Sequence, residues 1–234
     1  MKRFSLILAA FIIFAGFGGR AFADSPEPVP SPVTTPVPTP EPTVPPPSIF
    51  DIMTTAEPTG SAWQVDMAAY SLDEMLAAAA NGDVEAGHEA EDGRNAAIDA
   101  AESGEQKISF DDLYLLARVI YSEAGSDWLD EEFRLCVGEV VLNRVASPEF
   151  PDTIYDVVYQ KGQYSGVNSQ KFALLQPGED CVSCALKLLQ GERRMVSAVV
   201  YQSGSIQGEI FSMYPDRHLG STYFCLSQNL ELYD

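Results

Sequence analysis

Cations are scarce in this sequence, and histidine is almost absent. The 234 residues include 14 Lys and Arg against 34 Asp and Glu, with 2 His, which gives a net charge of −20. Three of the cations lie within residues 1–23, which contain no Asp or Glu. A surface of this charge repels nucleic acid, anionic wall polymers and anionic lipid head groups. The composition therefore predicts that nucleic acid is not a partner.

Long apolar runs are missing beyond the first residues. Basic residues at positions 2 and 3 precede an apolar run over residues 4–17, and Ala21-Phe22-Ala23 precedes Asp24. This order is typical of a secretory signal peptide, and the run is shorter than the ~20 residues that span a bilayer. We therefore expect cleavage after Ala23, a secreted or cell-envelope location in the cell wall, and no transmembrane helix in the mature chain. An uncleaved anchor is the alternative.

The composition changes twice before the predicted compact domain. Residues 24–48 alternate Pro with Val, Thr, Ser and Glu, which favours either an extended polyproline II linker or a disordered tail. Residues 49–107 are acidic and Ala-rich, with a capping-box pattern at Ser71 and a second helix predicted from residue 84 to about residue 101. This region has too few large apolar residues to fold alone. It is expected to pack on the domain at residues 108–234 or to form a stalk.

Helices dominate the predicted secondary structure of residues 108–234. Apolar residues at three- and four-residue steps predict a helix from Asp111 to Ala124, capped by Asp111 or Asp112 and ended by Gly125 in a left-handed conformation. The other predicted segments are helices over residues 130–145, 153–159 and 181–190, with the last capped by Asp180, and strands over residues 195–201 and 208–212. The predicted fold class is therefore mainly α, or α+β, with a small β element.

One carboxylate has an unusual position at the end of the first of these helices. Glu123 falls in the last turn, where the partial negative charge of the helix terminus disfavours a carboxylate, and Tyr121 flanks it. Partial burial there is expected to raise its pKa, so that the carboxyl group can donate a proton near neutral pH. An ordinary solvated residue at a helix end is the alternative.

Four motifs follow one another between residues 121 and 165. They are Tyr-Ser-Glu-Ala-Gly, Gly-Glu-Val-Val-Leu-Asn-Arg-Val, Ser-Pro-Glu-Phe-Pro-Asp-Thr-Ile and Val-Tyr-Gln-Lys-Gly-Gln-Tyr-Ser. With these motifs, the sequence from about Phe110 to Ser227 resembles the spore cortex-lytic and cell wall hydrolase family. The resemblance implies a lysozyme-like fold of the lytic-transglycosylase type, cleavage of peptidoglycan glycan strands, and Glu123 as the catalytic acid.

The resemblance implies a lytic transglycosylase, which needs one carboxyl group as acid and then as base. A muramidase on the same fold needs a second carboxylate, at about 5–5.5 Å for retention or about 6.5–9.5 Å for inversion. The candidates are Glu139, Asp127 and Glu132. A salt bridge from Glu139 to Arg118 or Arg144 is the structural alternative for that residue. A non-catalytic module that binds the cell wall or the spore coat is an alternative from another class.

Sugar binding needs aromatic faces and hydrogen-bonding side chains, and the resemblance assigns several. Gln163-Tyr164-Ser165 matches a segment that lines the family's cleft, although Tyr164 suits a core position as well. Gln202 replaces one member of an aromatic pair at Tyr201, and Thr222 stands where many members carry His, with His218 out of register. The predicted substrate-binding residues are Tyr121, Glu139, Gln163, Tyr164, Ser165, Tyr201, Gln202 and Thr222.

The four cysteines leave several possibilities open. Cys136, Cys181, Cys184 and Cys225 can form two disulfides in an exported domain, with three possible connectivities, and Cys136 is alternatively a buried thiol. The Cys181–Cys184 pair resembles a redox or zinc pair, which makes a thiol oxidoreductase a further alternative. A second pair and a His at ligand spacing are missing, which argues against zinc.

The remaining expectations concern partners. No metal and no cofactor is predicted, and His88, among acidic residues, is expected to be exposed. Asn143 and Arg144 match a motif of the family in which a structural hydrogen-bonding role is expected. The expected partner is peptidoglycan, and the protein is expected to be a monomer.

Overall fold

A computed structural model describes residues 61–218 and 220–233 of the chain. The predicted signal peptide and Pro-rich linker lie outside these residues. The helices are α1 (Ser61–Asn81), α2 (Val84–Ala101), α3 (Phe110–Ala124), α4 (Glu131–Ala146), α5 (Ile154–Tyr159), α6 (Gln170–Ala173), α7 (Gly178–Leu189) and a 3-10 helix (Leu230–Leu232). The strands are β1 (Val199–Ser203), β2 (Ile210–Asp216) and β3 (Gly220–Leu226). The prediction of a mainly α fold with a small β element is confirmed. No helix in this part of the chain is both long and apolar enough to cross a membrane.

The acidic, Ala-rich region forms a helical hairpin. Helix α2 has the predicted bounds, and the Asp83 side chain caps it by accepting a hydrogen bond of 3.2 Å from the backbone N–H of Ala86. Helix α1 begins ten residues before Ser71, so the capping-box prediction is wrong, and Ser71 is buried within the helix. The turn between the helices contains Gly82 with a φ of 73°, which favours glycine.

This hairpin shares a hydrophobic core with the helices that follow it. Met75, Ala79 and Ala90 belong to the same buried cluster as α3 and α7 residues. Buried Arg94 donates to the backbone carbonyl of Gln106 at 3.1 Å, which ties α2 to the start of the next segment. Both parts lie within one compact unit, Pro58–Asp234. The small side chains of the hairpin therefore serve close helix packing, which compensates for the lack of large apolar residues.

Gly87 allows the closest approach in this packing. A Cβ atom there would lie 2.2 Å from the fully buried ring of Phe110, so the ring or the helix would have to shift. Gly87→Ala is expected to lower the free energy of unfolding by about 1–3 kcal/mol. The matched control on α2 is Gly93→Ala, whose Cβ would lie 3.4 Å from its nearest neighbour, and which should stabilise the protein by up to about 1 kcal/mol. Equal midpoints in urea unfolding would contradict this packing.

Helix α3 has different ends from those predicted. Ser109, rather than Asp111 or Asp112, is the N-cap, because its Oγ accepts from the backbone N–H of Asp112 at 3.4 Å. Gly125 ends the helix with φ −77° and ψ 3°, so the prediction of a left-handed cap is wrong. The glycine is required for another reason, since a Cβ there would lie 2.4 Å from the Tyr121 carbonyl oxygen.

Helix α4 crosses the centre of the domain between α3, α7 and the sheet. Asp130 caps it, accepting from the Phe133 backbone N–H at 2.8 Å, and the helix agrees with the predicted range of 130–145 within one residue at each end. Helix α7 begins at Gly178, so Asp180 lies in its first turn and is not its cap, contrary to prediction. The Thr153 cap and helix α5 agree with the predicted short helix.

The sheet is antiparallel with the order β1-β3-β2. The predicted strands overlap β1 and β2, whereas the central strand β3 was not predicted. Phe133 of α4 packs on this sheet, with ring centroids 4.4 Å from Tyr214 and 6.0 Å from Phe224. A second buried cluster therefore joins the end of α3, the first half of α4 and the sheet.

Candidate functional site

Glu123 lies in the last turn of α3, one residue before Ala124, which is buried against the sheet. Its side chain reaches solvent, and the flanking Tyr121 is exposed as well. Surrounding protein nevertheless desolvates the carboxyl group and raises the pKa of Glu123, and the positive charge of Arg144 offsets only part of this rise. The direction of the shift agrees with the prediction from sequence.

Arg144 is the buried cation that faces Glu123. Its Nε donates to the backbone carbonyl of Val200 at 2.7 Å, which ties α4 to β1. The preceding Asn143 donates from Nδ2 to the carbonyls of Val196 and Val199 at 3.1 and 3.0 Å. The predicted structural hydrogen-bonding role of these two residues is confirmed. Arg144 additionally supplies a fixed positive charge beside the candidate acid.

Tyr164 brings the predicted cleft loop to the same place. The Arg144 guanidinium lies 5.4 Å from the centroid of its ring. Burial raises the pKa of Tyr164. The positive charge of Arg144 lowers this pKa and the negative charge of Glu123 raises it, so the phenol lies near both charges. Its neighbours Gln163 and Ser165 are exposed on either side. Glu123, Arg144 and Tyr164 thus form one cluster, which we call the acid cluster.

Tyr201, on β1, borders this cluster through Phe150, and Gln202 follows it on the same strand. The Phe150 ring lies 6.5 Å from the Tyr201 ring and 5.2 Å from the Arg144 guanidinium. Burial raises the pKa of Tyr201. The negative charge of Glu149 raises this pKa further, and the positive charge of Arg144 lowers it. Within the described part of the chain, Gln202 Oε1 is buried without a hydrogen-bond partner. Most buried acceptors in folded proteins have a hydrogen-bond partner, so this oxygen is an exception.

The Glu139 carboxylate is not accessible to a substrate. It is fully buried, and its two oxygens accept from the backbone N–H groups of Arg194 and Met195 at 2.7 and 2.9 Å. The partners are backbone amides and not Arg118 or Arg144, so neither the predicted substrate contact nor the alternative salt bridge fits this geometry. The carboxylate instead fixes the segment that leads into β1.

The other carboxylates considered have separate surroundings. Glu132 pairs with Arg194 at 2.9 Å, and Asp127 is exposed in the loop after Glu123. Thr222 lies in β3, paired with Tyr214 of β2. Sequence reasoning missed Glu149: burial alone would raise its pKa, but hydrogen bonds from Ser227, Asn229 and Tyr233 outweigh this effect and lower the pKa. Glu149 therefore anchors the C-terminal segment.

All four cysteines are unpaired in the structure. Burial raises the pKa of Cys136 and Cys181 to about 12, and that of Cys184 to about 11. A reactive redox cysteine needs a lowered thiol pKa, so these surroundings argue against a thiol oxidoreductase.

The described residues contain no group of three or more His, Cys, Asp or Glu side chains that could hold a metal ion. His88 is exposed, as predicted, and its Nε2 lies 2.9 Å from Asp111.

The electrostatic link between Arg144 and Glu123 can be tested directly. Arg144→Met removes the charge that lowers the pKa of Glu123, so this pKa should rise further. Arg144→Lys keeps the charge and should leave the pKa close to the wild-type value, although both variants lose the Nε bond to Val200. Carbon-13 NMR titration of Glu-labelled protein measures this pKa. An equal pKa in the methionine variant and the wild type would contradict the arrangement.

Comparison with known proteins assigns the domain. The family model described as Cell Wall Hydrolase matches residues 130–224, a range that begins just after Glu123 and includes Arg144, Tyr164 and Tyr201. A spore cortex-lytic enzyme of Halalkalibacterium halodurans is 28% identical over 120 residues, which cover 50% of this chain and 35% of that protein. A spore cortex-lytic enzyme of Oceanobacillus iheyensis is 26% identical over 122 residues, which cover 51% of this chain and 43% of that protein.

The chain spans less than half the length of these curated relatives. No solved structure matches it significantly. Helices α4 to α7, strands β1 and β2 and most of β3 fall within the matched range, whereas α1 to α3 precede it. Residues 130–224 therefore carry a domain that matches the cell wall hydrolase family, and about half of the chain is similar to spore cortex-lytic enzymes.

Proposed function

We propose that the protein cleaves the glycan strands of peptidoglycan, with Glu123 as the proton donor. The observation that carries this proposal is the raised pKa of a solvent-accessible carboxyl group that precedes the matched range of the cell wall hydrolase family and interacts with Arg144 inside it. A carboxyl group that stays protonated towards neutral pH can protonate the leaving oxygen of a glycosidic bond. The names of the curated relatives support the same class of substrate.

The reaction that fits this site best is that of a lytic transglycosylase. Glu123 gives its proton to the glycosidic oxygen as the bond to the sugar C1 breaks. The resulting carboxylate then takes the proton of the same sugar's C6 hydroxyl, whose oxygen bonds to C1 and closes an anhydro ring. The proton returns to Glu123, and no water is consumed. Arg144 would stabilise the transient carboxylate, because it lies beside Glu123 with a fixed charge.

The surroundings of the other carboxylates favour this single-carboxylate reaction. Glu139 is buried with both oxygens bonded, and Glu132 is paired with Arg194. A muramidase would need a second group, and the exposed Asp127, four residues after Glu123, is the candidate that remains.

Mass spectrometry of the muropeptides released from purified peptidoglycan tests the proposal. Products that end in anhydro-muramic acid are expected. Products with a reducing end would instead indicate a muramidase, and Asp127→Asn should then abolish them. If no fragment is released and the protein sediments with the walls, the protein is a binding module and not an enzyme.

We further propose that the organisation predicted from the sequence holds for the whole chain. Cleavage after Ala23 would release the protein to the cell envelope, and residues 24–48 would link the exported chain to its folded part. Residues 49–107 would support the catalytic domain at 108–234 by the packing described for α1 and α2. The protein would act as a monomer on peptidoglycan, without a cofactor.

A further inference from the structure

An exposed tryptophan stands close to the candidate acid in the chain. Trp128 lies in the loop between α3 and α4, with 54% of its surface exposed, whereas the next residue, Leu129, is buried in the cluster against the sheet. Its indole ring packs on the imidazole of His218, at a centroid distance of 4.9 Å and an interplanar angle of 54°. His218 belongs to the turn between β2 and β3. The two rings thus join the loop that follows Glu123 to the tip of the sheet.

The loop holds Trp128 in place. The backbone N–H of Leu129 donates to the Ser126 carbonyl at 3.0 Å. Buried Arg134 donates from Nε to the Ala124 carbonyl and from Nη2 to the Ser126 carbonyl, each at 3.3 Å. At the other ring, the His218 backbone N–H donates to Asp216 Oδ1 at 2.8 Å. Both aromatic rings are therefore carried by segments with fixed backbones.

The position of Trp128 relative to Glu123 suits a long substrate. Four residues lie between Glu123 and Trp128, so the two Cα atoms are at most about 18 Å apart even in a fully extended chain. A polysaccharide bound with one glycosidic bond at Glu123 extends over neighbouring sugars on both sides. Trp128 is thus close enough to contact a sugar near the bond that is cleaved.

The chemistry of the pair selects the ligand. One face of a pyranose ring presents C–H groups that pack on an aromatic ring, and a rigid, exposed indole offers the largest such surface among side chains. The adjacent imidazole has a ring nitrogen that exchanges hydrogen bonds with hydroxyl or acetamido groups.

We propose that Trp128 and His218 form a saccharide-stacking subsite that binds an N-acetylhexosamine unit of the glycan strand next to the cleaved bond. This subsite rests on the proposed function and adds to it a residue that sets affinity for the polysaccharide. Trp128 binds the sugar face, and His218 holds the indole in position while it contacts the polar edge of the same sugar.

Fluorescence can test binding without turnover, because the chain has 2 tryptophans, Trp63 and Trp128. In the variant Trp63→Phe with Glu123→Gln, Trp128 is the single tryptophan, and excitation at the red edge of the absorption band selects it over the tyrosines. A saturable change of its emission is expected on titration with chitohexaose, a soluble oligomer of N-acetylglucosamine. The matched variant Trp128→Phe with Glu123→Gln should show no change. Emission of Trp128 that stays constant while calorimetry detects chitohexaose binding would overturn the proposal.

Kinetics distinguish a subsite from a structural role. Trp128→Ala is expected to raise the apparent KM for cell-wall suspensions by about five- to tenfold, with kcat changed by less than about twofold, because an aromatic contact contributes mainly to binding. The control is Tyr155→Ala on α5, which removes a ring that is 61% exposed and should leave both constants unchanged. An unchanged KM in Trp128→Ala, with an active wild type, would refute the subsite alone. An inactive wild type would refute the proposed function.

Discussion

Glu123→Gln is expected to slow peptidoglycan cleavage by about 10²–10⁴-fold, the usual contribution of a general acid and base. The amide keeps the shape of the side chain but provides no transferable proton. Loss of turbidity of a cell-wall suspension measures the rate. The matched control is Glu179→Gln, which removes an exposed carboxylate in the first turn of α7 and should retain full activity. Wild-type activity in Glu123→Gln would show that Glu123 does not take part in the reaction.

The same variant should gain stability at neutral pH. In the folded protein the pKa of Glu123 lies above its ordinary value of 4.5, so the folded state binds more protons than the unfolded state between these two pKa values. Stability is therefore lost as pH rises from the ordinary pKa through the raised one. The glutamine variant avoids this loss, so it should unfold at a higher temperature than the wild type at pH 7. The difference should vanish below pH ~4, where both states are protonated.

Glu139→Ala is expected to lower the free energy of unfolding by about 3–5 kcal/mol, the largest effect on stability predicted here. The substitution leaves two buried backbone N–H groups, of Arg194 and Met195, without an acceptor, and it opens a cavity beneath β1. Glu139→Gln retains one acceptor oxygen and should cost less. Urea denaturation followed by circular dichroism measures both.

The control for Glu139 is Glu132→Ala, two turns earlier on the same helix. Its partner Arg194 is held at the surface, and exposed ion pairs contribute less than about 1 kcal/mol. A Glu139→Ala protein with wild-type stability and no activity would contradict the structural role of Glu139 and return it to the substrate-binding residues.

The helices could be predicted where the local sequence determines them. The apolar stripes of α3 and α4 and the acidic caps of α2 and α4 are local signals, and these helices agree with prediction within a few residues. The sheet could not be predicted equally well. Strand β3 mixes polar and apolar residues, and it is stable because it lies between β1 and β2, contacts that no short sequence window contains.

Only those features of the candidate site that depend on local sequence could be predicted. The position of Glu123 at a helix end is a local property, and so is the expected direction of its pKa. Burial of Glu139 depends on backbone groups 55 and 56 residues away, so the sequence could not distinguish it from a residue that faces a cleft. The exposure of Trp128 depends on how its loop meets the sheet, and an isolated aromatic residue gives no signal of that contact.

The measurement that tests the central claim most directly compares the pH dependence of kcat/KM with the pKa of Glu123 from carbon-13 NMR. If Glu123 is the general acid, the alkaline limb of the rate profile should coincide with its pKa. Both should move to higher pH together in Arg144→Met, because the lost charge had lowered that pKa. A rate profile that stays in place while the pKa of Glu123 moves would show that another group donates the proton.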